Sequence, residues 1–228
     1  MIYMFIKGLQ RLCEKPILIL AFLIYPFLNF SQVYHIDNEE YISRVILDNE
    51  YVVISKFKSD SGNFISTLGG YYQLNEGAYV INLEFNSNYD QDSIKSLSIV
   101  KTSKWKNISK ENNTLKGKWV MSGRYNNGEF RTRNTDLPRK TMKVLIDGFF
   151  QWIAFNTESF KFSGSGGGEY ETEDGKYIEI IQYFSRDNSR VGAELDFNYE
   201  VKNNDWYHTG LSSKGKPINE VWTIRDNK

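Results

Sequence analysis

Cysteine is nearly absent from this chain. The single one, Cys13, stands ahead of an apolar run at residues 17–30. If the chain is cut after that run, disulfides, thiol nucleophiles and cysteine-held metals are all excluded, and the fold must rest on its core alone. Histidine is equally scarce. His35 and His208 are far apart in sequence, and neither has a second His or Cys nearby to build the three- or four-ligand set that zinc needs. No metal or cofactor is therefore expected. Charge of one sign is also lacking, because 28 Lys and Arg balance 28 Asp and Glu with no one-sided run. That excludes a dedicated nucleic-acid surface, which requires clustered basic charge. No Gly-x-Ser-x-Gly elbow occurs, so scattered Ser, His and Asp residues do not make a triad. Proline numbers only four, and no stretch past residue 31 shows a convincing amphipathic helical period.

What is present points first to export. Lys7, Arg11 and Lys15 precede the apolar run, whose 14 residues are broken only by Pro26 and Asn29. A helix needs roughly 20 residues to span a bilayer. The pattern predicts a cleaved secretory signal over residues 1–31, with cleavage before Gln32 and no stable membrane span afterwards. The mature chain is then periplasmic or extracellular. It is rich in aromatics, with 15 Tyr, 15 Phe and 5 Trp, a composition that favours strands.

The chain is also written twice. Residues 44–85 resemble residues 143–184. Gly69, Gly70, Tyr72, Gly77, Tyr79 and Phe85 align with Gly167, Gly168, Tyr170, Gly175, Tyr177 and Tyr183 at a shift of 98. Val45 and Asp48 align with Val144 and Asp147 at 99, and Val100 and Trp105 with Val201 and Trp206 at 101. Such a period marks a duplicated domain with small loop insertions.

Strand periodicity runs through both copies. Ala193, Leu195, Phe197, Tyr199 and Val201 alternate with polar residues, the pattern of an antiparallel strand with one wet face. Asn127-Gly128, Asp147-Gly148 and Asp174-Gly175 suit tight hairpins. The second copy, 112–228, reads as about eight strands: 118–123, 141–146, 149–156, 168–173, 176–185, 193–201, 206–211 and 220–224. Eight strands close an up-and-down barrel around packed side chains or one small ligand. The first copy, 32–111, has no room for full opening and closing strands. It is expected to leave sheet edges open and to lean on the second copy. Residues 101–113 are a polar linker. The fold class is thus all-β, two tandem antiparallel barrel units, the first reduced.

Leu115-Lys116-Gly117-Lys118-Trp119 is similar to the Gly-x-Trp opening strand of the calycins, the lipocalins and their relatives. Residues 149–155, Gly166 to Tyr170, Asp174 to Tyr177, 185–192 and Glu220-Val221-Trp222 complete an ordered set. Together they resemble the lipocalin-like "membrane or secreted" proteins of Gram-negative bacteria, often tandem in form. The resemblance implies a barrel plugged by Trp119, with Arg225 or Arg124 stacked on it, and structural roles for Trp222, Gly167 and Gly168. The first copy lacks the Gly-x-Trp strand, the closing Glu-x-Trp and any counterpart of Arg186 or Arg190.

No reaction centre is legible. The glycine-rich stretch 162–169 lacks the helix and lysine of a phosphate cradle and reads as a tight turn leading into a strand. Glu179 shares a strand face with Tyr177, Ile181 and Tyr183. If that face is the lumen, the carboxylate needs a partner such as Arg186, Arg190 or His208; if it faces solvent, Ile178 and Ile180 point inward. Arg131, Arg133 and Arg139 lie on the long connection 125–140, a lid or a solvated loop. The expected function is non-catalytic binding of a small apolar or amphipathic ligand in the second barrel, lined by Gln151, Tyr170, Glu179, Arg186, Phe197 and His208. The alternative is a filled barrel that engages another envelope protein or a glycan, or self-associates through the open first copy.

Overall fold

The computed structural model describes residues 31–225. The secretory signal expected over residues 1–31 lies, apart from Ser31, outside the described residues. In the first unit, β1 (Gln32–Asp37), β2 (Tyr41–Leu47), β3 (Tyr51–Lys58), β4 (Phe64–Asn75), β5 (Ala78–Asn86), β6 (Ser96–Val100) and β7 (Lys106–Asn107) form one antiparallel sheet, ordered β6-β5-β4-β3-β2-β1-β7. It does not close. One turn of helix, α1 (Tyr89–Asp92), follows β5. In the second unit come β8 (Gly117–Asn126), β9 (Glu129–Thr132), β10 (Arg139–Ile146), β11 (Phe149–Asn156), β12 (Phe162–Glu173), β13 (Lys176–Phe184), β14 (Glu194–Lys202), β15 (Asp205–Leu211) and β16 (Pro217–Ile224). Here β8 pairs with β16 on one side and β10 on the other, closing an eight-stranded antiparallel barrel. Its hairpins turn where the sequence places them. Asp147 and Gly148 have φ of 47° and 81°, the positive values a two-residue hairpin demands.

Two segments differ from expectation. The glycine-rich stretch is not a turn but the first eight residues of the twelve-residue β12. The long connection after β8 opens as a projecting hairpin, with β9 paired to residues 123–126 of β8.

The repeat keeps one shift from β2 to β6 and from β10 to β14. Ile46 opposes Val53 as Val144 opposes Gln151, and Tyr79 opposes Ile99 as Tyr177 opposes Phe197, each 98 residues on. The 99-residue alignment of Val45 with Val144 is therefore off by one; Val45 corresponds to Lys143. Val100 corresponds to Asn198 and not to Val201. Trp105 and Trp206 do share a role, since each ring packs on an equivalent tyrosine, Tyr79 at 6.2 Å and Tyr177 at 5.1 Å.

A one-residue bulge sits at the same place in both units. Gly69 opposes Phe85 but Gly70 opposes Leu83, leaving Glu84 extra; Gly167 opposes Tyr183 but Gly168 opposes Ile181, leaving Gln182 extra. The glycines make this possible, for a Cβ on Gly70 or Gly168 would lie 2.0 or 1.8 Å from a carbonyl oxygen of the partner strand. The bulge reverses the side-chain alternation, turning Phe85 and Tyr183 onto the faces where the units meet. There Phe57 stacks on Tyr183 at 4.8 Å and Phe85 packs on Phe155 at 5.0 Å. Phe155 and Tyr183 are the 98-residue counterparts of Phe57 and Phe85, so the contact is isologous, like that of a two-fold dimer. Phe64 stacks on its own counterpart, Phe162, at 6.0 Å. One core runs through the junction, from Val33, Ile46, Val53 and Phe85 to Met142, Val144, Ile153 and Phe155.

Because that core is shared, sheet and barrel should unfold together. Phe155→Ala should cost about 3–5 kcal/mol. Urea unfolding followed by far-UV and near-UV circular dichroism should still give one coincident transition at lower midpoint.

Candidate functional site

Alternation along the closed barrel decides what faces the lumen. Tyr177, Glu179, Ile181, Phe197, Trp206 and Trp222 point inward, and all are buried. The end holding the Gly117–Trp119 segment is shut. Trp119 donates its ring N–H to the Leu115 carbonyl at 2.7 Å and meets Trp206 edge-on at 5.7 Å. Tyr170 donates its hydroxyl to the Thr114 carbonyl at 2.8 Å.

The middle of the lumen holds an ion pair. Lys143 Nζ lies 2.6 Å from Glu179 Oε1, and both side chains are about 6% exposed. Tyr177 donates its hydroxyl to the same oxygen at 2.9 Å. The ammonium sits 5.0 to 5.7 Å from the ring centres of Trp206, Tyr177, Trp222 and Phe197, an aromatic cage filled by the protein's own cation. Beside it, His208 Nδ1 is 3.5 Å from Glu220 Oε2, and Trp222 donates to that oxygen at 3.2 Å. Burial, reinforced by the Lys143 charge, pushes His208 down to about 4, so its ring is neutral near pH 7. Burial, with the Glu179 carboxylate close by, holds the Tyr177 hydroxyl well above its usual range. Two buried ring nitrogens, Trp206 Nε1 and His208 Nε2, have no hydrogen-bond partner among the described residues.

The opposite end is less fully covered. Met121, Trp152, Phe184, Leu195 and Ile218 pack on the lumen core yet remain partly exposed. Gly166 lets the rings of Trp152 and Phe184 lie against the wall of β12, since a Cβ there would be 2.7 and 2.6 Å from them. Arg186 lies over Trp152 at 5.5 Å and donates to the Ser163 carbonyl.

Comparison with models of protein families gave no match, and comparison with curated proteins gave none.

The expected liners scatter. Glu179, Phe197 and His208 do face the lumen together, while Tyr170 lies at its shut end. Arg186 sits at the mouth. Gln151 faces away from the lumen. It is buried between the units, where it accepts from Ser55 and Tyr183 at 2.7 Å each and donates to Thr67 and Ser165 at 2.9 Å each. Trp119 plugs the barrel, but among the described residues no arginine stacks on it. Arg225 instead grips Glu84 with two bonds of 2.7 Å and lies over Tyr51 and Tyr71. Gly167 gives close approach to Tyr183, whose hydroxyl would lie 2.3 Å from a Cβ there. The residue that sequence reasoning missed is Lys143, the true partner of Glu179. At a shift of 98, Lys143 and Glu179 fall on Val45 and Ile81, two apolar residues buried in the first unit. An ion pair replaced as a pair was the available signal.

Breaking a buried pair leaves one charge without its partner, which costs about 3–5 kcal/mol. Lys143→Val and Glu179→Ile should each lose that much, and the double variant should regain most of it; a denaturant double-mutant cycle checks this. His35 is also pushed down to about 4, by burial and by Arg44, whose Nε donates to it at 3.0 Å. Both histidines thus have folded pKa values below the unfolded 6.5. Stability is full above that value and falls as pH drops towards about 4, where the unfolded chain alone takes up the protons. His208→Gln should flatten the slope of unfolding free energy between these limits.

Proposed function

We propose that this is an exported, non-catalytic binding protein of lipocalin-like build that takes a small, partly apolar ligand at the mouth of its second barrel. The observation carrying this reading is the inward, half-exposed ring of Met121, Trp152, Phe184, Leu195 and Ile218 above a sealed floor. Apolar surface held open by a rigid wall is what a small amphipathic molecule would cover. The lumen's titratable groups are engaged with one another, Lys143 with Glu179 and His208 with Glu220, which favours holding a molecule over transforming it. The ligand then sits at the rim and not at the barrel's centre, because the aromatic cage is already occupied.

A second reading has its own support. The Lys143–Glu179 pair and its four rings fill the centre, and the outer edge of β6 is unpaired with Val100 60% exposed. An open strand edge can take a strand from a partner protein.

A thermal-shift screen of the full chain against small amphipathic molecules should raise the melting temperature for a chemically related set. Leu195→Glu and Ile218→Glu, placed in the mouth wall, should abolish that rise. No shift with any compound would overturn ligand binding, and capture of a partner through the β6 edge would then carry the function.

A further inference from the structure

The mouth is crowned by arginines. β8 has one extra residue, Ser122, where Trp222 opposes Met121 but Val221 opposes Gly123. Past this bulge Arg124 opposes Glu220, whose side chain reaches inward to His208. Arg124 therefore lies on the lumen side of the projecting hairpin. Arg131 sits directly across the hairpin from it. Arg133 donates to Thr141 Oγ1 at 3.1 Å and touches the Met121 sulfur at 3.3 Å, which seats its guanidinium over the mouth. Arg139 lies two residues before Thr141 on the same strand. Burial, and then repulsion from Arg139 and Arg124, lowers the Arg133 pKa, as expected of crowded like charges.

Among the described residues no acidic side chain forms an ion pair with this group; Glu220, opposite Arg124 and turned towards His208, compensates it only in part. Among the described residues the arginines in ion pairs are Arg190 and Arg225. Arg124, Arg131, Arg133 and Arg139 have none, although Glu129 and Asp136 share their segment. Like charges placed directly opposite across a hairpin cost stability. An anion between them removes that cost, and guanidiniums hold carboxylate or phosphate through paired N–H donors.

We propose that the ligand is an anionic amphiphile: its apolar part lies against Met121, Trp152, Phe184, Leu195 and Ile218, and its charged head is held by Arg124, Arg131, Arg133 and Arg139. The β8–β9 hairpin is then a clamp over the mouth. This rests on the mouth-binding reading above and adds the ligand's charge and the groups that read it.

The test is isothermal titration calorimetry of the full chain with decanoate and with decan-1-ol, which share a chain and differ in charge. Decanoate should bind at least about tenfold tighter, and the gap should shrink as salt is raised. Arg124→Gln with Arg131→Gln, both on an exposed hairpin outside the core, should remove the preference for decanoate without lowering the melting temperature. Equal binding of the two probes would overturn the anion assignment and leave mouth binding standing. Binding of neither would overturn both. A preference for decanoate that survives the double substitution would overturn the assignment to the hairpin.

Discussion

The packing of one unit on the other depends on a single extra residue inserted twice. Glu84 and Gln182 are bulged out at equivalent places, and each insertion moves one aromatic ring, Phe85 or Tyr183, from the inner face of its sheet to the outer. Without the bulge, both rings would point into their own units and the junction would lose its central contacts. The bulged side chains are themselves held across the junction, Glu84 by Arg225 and Gln182 by Arg44. The duplicated chain thus behaves as a two-fold dimer fused end to end, with each half supplying the same patch. This also explains how an unclosed sheet persists. One of its faces is covered by the barrel wall, and the other is filled by its own residues with Trp105 laid across Tyr34 and Tyr79.

Within that frame the two units have diverged at their centres. The first is apolar where the second is charged: Val45 and Ile81 stand where Lys143 and Glu179 form an ion pair inside a ring of aromatics. Swapping both partners together avoids the penalty of an orphaned charge, which falls on either change alone. A polar knot also lies between the units, where Gln151 satisfies its amide with four side chains drawn from both. A fully bonded buried amide of this kind fixes how the halves meet.

Much of this was legible in the residues. Tight-turn dipeptides and strand-forming runs place the eight barrel strands, β12 only by its second half, and the glycine pairs mark the repeat. The limits were geometric. Alternation in the β13 segment reads straight through Gln182 and groups Tyr183 with Tyr177, Glu179 and Ile181, and only the register against Gly167 and Gly168 shows the switch. Gln151 reads as a liner in an aromatic-rich strand, yet the outer face of β11 is more fully buried than the inner one. Lys143 was hidden by an alignment one residue off at the Asp147-Gly148 turn. The arginines of the 125–140 connection read as part of a lid or a solvated loop, because no local pattern shows that a hairpin carries them over the barrel mouth.

The sequence by itself determined the strand content, the duplication, the reduced first copy and the closed second one, since these follow from periodicity, turn chemistry and chain length, which are local properties. Only the tertiary structure decided which face of each strand is inside, which cation meets Glu179, and which arginines gather at one rim. Those depend on register and barrel closure, which bring together residues such as Lys143 and Glu179, or Arg124 and Arg139, that lie on different strands. No spacing along the chain encodes such meetings.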